Sequence, residues 1–232
     1  MESGYSHLAV KIKHLGKWIA DAFFPEYCLG CKREGTLFCD QCREKILPFP
    51  LHRLLEENFF VDAFYSYADP RIRALLAAYK FESKRSLENI FEMAVRRGIE
   101  KTATWIPGEP VLLVPIPLHK RRQRERGFNQ SLELAKFLSA HFPEGTVVTT
   151  LLKRIRPTKQ QSALPKTARA ENVANCFYSE PITIKEKRIA CVLVDDVVTS
   201  GETLRAAKEA LVSAGYTVLG AWTFAYGGDD VQ

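Results

Sequence analysis

One contiguous run constrains this chain more than any other: Val192-Leu193-Val194-Asp195-Asp196-Val197-Val198-Thr199-Ser200-Gly201-Glu202-Thr203. An apolar strand ends in two adjacent carboxylates. A short loop bearing hydroxyls and a glycine follows, and Leu204 to Val212 then has helix-forming composition. A loop of this kind at a helix start aims backbone N–H groups and hydroxyls at one spot, which suits a phosphate. Carboxylates just ahead of it accept hydrogen bonds from sugar hydroxyls one group away from that phosphate. The run therefore predicts a site that reads phosphate and ribose together. A buried strand ending in Asp-Asp also occurs in P-loop NTPases, but no G-x-x-x-x-G-K-[ST] loop is present, and neither is G-x-G-x-x-G. An ordinary strand-to-helix turn with an Asp cap is the plainer alternative.

The rest of the chain supplies a fold for that run. Its 232 residues suit one α/β domain with a small appendage, and 46% hydrophobic content is ample for a core. Short apolar strands are predicted at Val61–Tyr67, Val111–Ile116, Thr146–Leu152 and Val218–Tyr226, besides the opening one. Helices are predicted over Leu8–Phe24, Pro70–Phe81, Leu87–Ile99 and Asn129–Ala140. Strands alternating with helices indicate a parallel sheet with helices on both faces. The tail from Gly227 to Gln232 is expected to fray.

Ahead of this domain lies Cys28-x2-Cys31-x7-Cys39-x2-Cys42. Two C-x-x-C knuckles can converge four thiolates tetrahedrally on one zinc ion. The seven-residue gap is shorter than the common zinc-ribbon spacing, so the hairpin should be compact. Disulfides are the alternative, yet the N-terminus lacks a secretory apolar region, since Trp18 to Phe24 is short and contains Asp21. Thioredoxin-like redox sites carry one such pair, not two. Cytoplasmic residence is the expectation, and no run approaches the roughly 18 apolar residues of a membrane span. Cys176 and Cys191 read as inert core residues. The expected division is residues 1–50 for an N-terminal helix plus the four-cysteine module and 51–232 for the α/β domain.

Two basic loops complete the picture. Leu118 to Gly127 holds five basic residues and one acidic residue between Lys120 and Arg126, and arginine forks suit clustered phosphate oxygens. A solvated basic loop is the alternative. The second, Lys153 to Arg169, holds six basic residues and no acidic one. Long loops often act as lids, and glycosyl transfer through an oxocarbenium-like species needs water excluded. Arg154, Arg156 and Lys159 could equally contact a nucleic-acid backbone. A net charge of +6 leaves room for an anionic partner without establishing one.

The acid pair followed by Thr-Ser-Gly-x-Thr resembles the phosphoribosyl pyrophosphate (PRPP) signature of type I phosphoribosyltransferases. The two-knuckle cysteine module, Tyr79-Lys80-Phe81, Val114-Pro115-Ile116-Pro117, Arg126-Gly127-Phe128-Asn129-Gln130 and Pro157 to Asn172 resemble the ComF/ComFC family. That resemblance runs in order from about Pro25 to Tyr226. It implies a type I phosphoribosyltransferase fold preceded by a zinc finger. It also implies that Asp195 and Asp196 face the ribose hydroxyls and that Thr199, Ser200, Gly201, Glu202 and Thr203 wrap the 5′-phosphate. Arg126 and Gly127 would lie on the pyrophosphate side. Mg²⁺ would accompany PRPP, bridging pyrophosphate and ribose hydroxyls. The family is associated with DNA uptake in natural transformation, so single-stranded DNA and DNA-uptake or helicase proteins are implied partners. A phosphoribosyltransferase with a nucleobase-like acceptor is the alternative, and no residue is nominated as general base.

Overall fold

The computed structural model describes residues 26–81, 85–102, 105–156, 175–182 and 189–228. The helix expected over Leu8–Phe24, the end of the tail beyond Gly228 and most of the second basic loop, including Lys159, lie outside those residues. The chain divides into two compact units, Met1–Ile46 and Leu47–Gln232.

The described part of the first unit is a small knuckle. Tyr27 and Glu34 form an isolated antiparallel bridge, and a short helix α1 (Asp40–Glu44) follows Cys39. Cys28, Phe38, Cys39, Cys42 and Ile46 are buried, too few apolar groups for an ordinary core.

The second unit is a six-stranded sheet with helices. In chain order its elements are β1 (Leu51–Glu56), β2 (Phe59–Ser66), α2 (Pro70–Phe81), α3 (Arg85–Thr102), β3 (Leu112–Pro115), α4 (Lys120–Arg126) and α5 (Gln130–Ser139). There follow β4 (Val147–Val148), β5 (Leu152–Arg154), β6 (Phe177–Ser179), β7 (Ala190–Val198), α6 (Glu202–Ser213) and β8 (Thr217–Tyr226). The strand order is β1-β2-β8-β7-β3-β4, with every neighbour parallel except β1 with β2. The parallel pairs β3/β4 and β7/β8 are joined through α4–α5 and α6, the helical crossovers that such pairs require.

Alternation along the strands sorts two apolar faces. Val61, Ala63, Leu193 and Ala221 pack in one cluster with Leu204, Ala207 and Leu211 of α6. The alternate positions carry larger rings: Phe64 lies against Trp222, and Phe91 of α3 stacks on Phe224 at 4.5 Å and on Tyr79 of α2 at 4.4 Å. Cys176 and Cys191 are fully buried, and burial pushes the Cys191 thiol up to about 12, in keeping with an inert core role.

The sequence expectations are revised at four places. The stretch 118–127 is not a plain loop: Lys120–Arg126 forms α4. His119 caps its start by accepting from the Arg121 N–H, and Gly127 ends it at φ 78°. The single strand expected at Thr146–Leu152 is split into β4 of the main sheet and β5, which pairs antiparallel with β6 in a separate ribbon. The opening strand continues through the acid pair to Val198, with Asp195 in register with Thr223 and Val198 with Tyr226. Finally, β1 and β6 have no counterpart in the sequence reading. Both are short or solvent-facing and carry little apolar alternation.

Candidate sugar-phosphate site and cysteine cluster

β7 delivers the acid pair to the C-terminal edge of the parallel sheet, where open α/β sheets bind ligands. Asp195 Oδ1 accepts from Ser131 Oγ at 2.9 Å and from the Asp196 N–H at 2.9 Å. Ser131 stands in the first turn of α5. That turn is anchored by Asn129, whose Oδ1 accepts from the Ser131 N–H and whose Nδ2 donates to Ile116 O at 3.0 Å. The stretch Arg126 to Gln130 therefore ties the end of β3 to the acid pair. Asp196 Oδ2 pairs with Lys80 Nζ at 2.7 Å, brought in by the last turn of α2. Tyr79, beside Lys80, meets the ring of Phe128 edge-on at 5.4 Å, so α2 and the α4–α5 connection close one corner. Burial first, and then the charge of Asp196, raises the Asp195 carboxyl to about 7; the hydrogen bonds and Lys80 oppose that rise.

The loop after β7 is held from behind. Gly201 adopts φ +84° at the N-cap of α6, a conformation that L side chains rarely take. A Cβ there would meet Leu55 Cδ1 and Cδ2 at 2.9 Å, so β1 leans directly on the loop. Arg205 donates from Nη1 to Ser200 O at 2.8 Å and to Glu202 Oε1 at 2.7 Å, and from Nη2 to Leu55 O at 3.1 Å. Its Nε also approaches Glu56, whose other oxygen pairs with Lys208 at 2.8 Å. Ser200 Oγ is buried without a hydrogen-bond partner among the described residues. An orphaned hydroxyl beside a helix N-terminus fits a phosphate oxygen. Glu202, by contrast, spends its side chain on Arg205 and contributes its backbone position alone.

The arginine side is looser. No residue of α4 is buried. Arg126 donates from Nη1 to Gln130 Oε1 at 3.2 Å, one residue from Ser131. Partial burial first, and then the charges of Arg126 and Arg154, lower the Arg122 guanidinium. Arg154, in β5, lies over the Phe177 ring at 5.0 Å and donates to Pro117 O at 3.5 Å. The two basic segments thus meet around the end of β3. Arg156 is exposed beyond β5.

The four cysteines are a separate site within the first unit. Their Sγ atoms all lie within 4.8 Å of one another, and Cys39 Sγ is 3.6 Å from both Cys28 and Cys31. A tetrahedral Zn–S4 centre with bonds of about 2.3 Å has sulfur–sulfur edges of about 3.8 Å, so the cluster fits that ion. Although burial raises it, backbone N–H donors at Cys39, Cys31 and Gly30 bring the Cys28 thiol down to about 6. Burial, neighbouring thiols and the Cys28 charge push Cys42 up to about 12. Crowded thiolates repel one another, and a bound dication relieves that repulsion.

With this geometry in view, relatives decide the family. A model of the phosphoribosyl transferase domain matches residues 86–231, which covers β3 to β8, the acid pair and the loop after β7. Three relatives extend the likeness. Competence protein F of Haemophilus influenzae is 28% identical over 212 residues, 85% of this chain and 89% of its own length. Competence protein ComFC of Bacillus subtilis is 32% identical over 164 residues, 70% of this chain and 60% of the relative. DNA utilization protein YhgH of Escherichia coli is 28% identical over 202 residues, 84% of this chain and 82% of the relative. The chain belongs to the ComF family of phosphoribosyl transferase domain proteins. Among the described residues of this ComF protein, no helix is long and apolar enough to cross a membrane.

Sequence reasoning missed Lys80, Ser131, Arg205 and Leu55 as parts of the site. Lys80 and Ser131 lie in or beside segments that carry the family resemblance, and that proximity was the available signal. Arg205 and Leu55 had none, because their partners lie across the fold.

Proposed function

We propose that this ComF protein binds PRPP at the end of β7 and acts in DNA uptake by handling single-stranded DNA in the cytoplasm. The observation that carries the reading is one corner holding an acid pair, an orphaned Ser200 hydroxyl and a helix N-terminus. Asp195 and Asp196 accept from the ribose hydroxyls. Thr199 to Thr203 surround the 5′-phosphate, with Arg205 fixing the backbone from behind. Arg126 and Gly127 lie on the pyrophosphate side. Asp196 is engaged by Lys80 and Glu202 by Arg205, so Mg²⁺ arrives with the pyrophosphate and ribose oxygens and not in a protein cage. The proposed division remains residues 1–50 for an N-terminal helix plus the zinc module and 51–232 for the phosphoribosyltransferase-like domain, close to the boundary between the compact units at Ile46 and Leu47.

Supporting the nucleic-acid role, the β5–β6 ribbon joins Lys153 and Arg154 to Tyr178, which is 45% exposed, with Arg156 close by in sequence. Cations beside an exposed aromatic suit phosphodiester backbone and unstacked bases. The names Competence protein F and DNA utilization protein YhgH point the same way, toward competence and the use of DNA; helicase partners are implied by the family resemblance alone. The thiol-rich module suits a reducing cytoplasm.

The match to the transferase domain over 86–231 favours a second reading, transfer of phosphoribose to a nucleobase-like acceptor. Calorimetry with PRPP at millimolar Mg²⁺, with and without single-stranded DNA, tests the first reading, and PRPP consumption with a nucleobase panel tests the second. Asp195→Asn with Asp196→Asn is expected to abolish PRPP binding. Unchanged binding in that variant overturns the site assignment. For the first unit, metal analysis is expected to give one zinc per chain, lost in Cys39→Ser; zinc-free wild-type protein overturns the zinc assignment.

A further inference from the structure

The Lys80–Asp196 pair raises a question that the phosphate loop does not. Two adjacent carboxylates at a sheet edge repel each other, and charged carboxylates are the strongest acceptors for a ribose diol. In many sugar-phosphate sites a divalent cation would supply the compensating charge. Here the chain supplies one itself. Lys80 Nζ lies 2.7 Å from Asp196 Oδ2, and the two side chains are only 21% and 17% exposed. The contact is therefore shielded from water and salt. The ammonium is positioned by its neighbour: Tyr79 is fixed between Phe91 at 4.4 Å and Phe128 at 5.4 Å. Asp195 on the other side is satisfied by Ser131 Oγ and the Asp196 N–H, both neutral donors. The corner thus holds two acids and one fixed cation, which leaves acceptor capacity for a diol.

Resting on the phosphoribosyl reading above, we propose that Lys80 is a positioning residue that offsets the charge of Asp196 and fixes its carboxylate, so that the site holds a 5-phosphorylated pentose with a cis-diol without any divalent cation. The ligand class is then wider than PRPP. Ribose 5-phosphate, lacking the pyrophosphate that brings Mg²⁺, is sufficient: its phosphate meets the Ser200–Thr203 turn and its diol meets the acid pair. Mg²⁺ matters only for ligands that carry a pyrophosphate.

Calorimetry with ribose 5-phosphate in EDTA and again in millimolar Mg²⁺ tests this on the full-length protein and its Lys80→Met and Lys80→Arg variants. Wild type is expected to bind equally in both buffers. Lys80→Met should lose about tenfold or more in EDTA, and Mg²⁺ should recover part of that loss, because a dication can replace the missing ammonium. Lys80→Arg should stay within about threefold of wild type, since it retains the charge. A purely structural role for Lys80 predicts a loss that Mg²⁺ does not repair. Wild-type binding that requires Mg²⁺, or a Lys80→Met protein that binds as wild type in EDTA, overturns the inference while leaving PRPP binding intact. Failure of wild type to bind either ribose 5-phosphate or PRPP in Mg²⁺ overturns the phosphoribosyl reading itself.

Discussion

At Thr199–Thr203 the backbone is clamped by the guanidinium of Arg205 and backed by Leu55. Across the corner, the arginines of α4 stand on a seven-residue helix with no buried side chain. The first region is arranged before any ligand arrives, so little ordering entropy remains to be spent on binding. The second holds like charges close enough that, after partial burial, Arg126 and Arg154 lower Arg122, an arrangement whose repulsion an incoming anion relieves. On the proposed PRPP reading, one side of the site is therefore prepared for a constant group, the sugar phosphate. The other is prepared for a group that comes and goes, as pyrophosphate does.

The largest expected effect breaks the prepared side. Gly201→Val puts a β-branched residue at φ +84° and forces its Cβ against Leu55. Stability should fall by about 2 kcal/mol in chemical denaturation, and ribose 5-phosphate affinity should collapse with it. A variant with wild-type affinity would mean that the loop reorganises freely and that the contrast between the two sides is false.

A matched pair of substitutions sharpens the contrast. Arg205→Met removes the donors to Ser200 O and Leu55 O, and should weaken PRPP and ribose 5-phosphate alike, by about tenfold. Arg126→Met should weaken PRPP by a similar factor and leave ribose 5-phosphate untouched, because only PRPP reaches the arginine side. Calorimetry with both ligands on both variants reads the difference. Equal losses of ribose 5-phosphate binding in the two variants would merge the two sides into one.

The prepared side was the more legible in sequence because its chemistry is contiguous. Strand, acids, loop and helix start follow one another from Val192 to Thr203, and period and capping rules suffice to read them. What holds that run in place comes from elsewhere: Lys80 is far upstream, and Arg205 answers a carbonyl of β1, which carries no motif. Such contacts are set by tertiary packing and leave no local periodicity. α4 was hidden for another reason. Lys-Arg-Arg-Gln-Arg-Glu-Arg has no apolar face to repeat, so only its two ends, His119 and Gly127, mark it as a helix. The β5–β6 ribbon is three residues on each side, too short for alternation to register.

The smallest expected effect concerns the protons of the prepared side. Burial and Asp196 raise the Asp195 carboxyl from 3.8 to about 7, so the folded protein holds this proton more tightly than the unfolded chain does. Its contribution to stability is complete below about pH 4 and is lost as pH rises through about 7. Diol binding runs the opposite way, because the ionised carboxylate is the stronger acceptor for the ligand's hydroxyls. Ribose 5-phosphate affinity should therefore climb between about pH 6 and about pH 8 while this group's share of stability declines. Asp195→Asn, which cannot titrate, should flatten the pH dependence of the denaturation midpoint between about pH 4 and about pH 7. Guanidinium groups keep their charge over that window, so the pyrophosphate increment, PRPP affinity over ribose 5-phosphate affinity, should not follow Asp195. An increment that instead followed Asp195 would tie the arginine side to the acid pair and end the distinction between them.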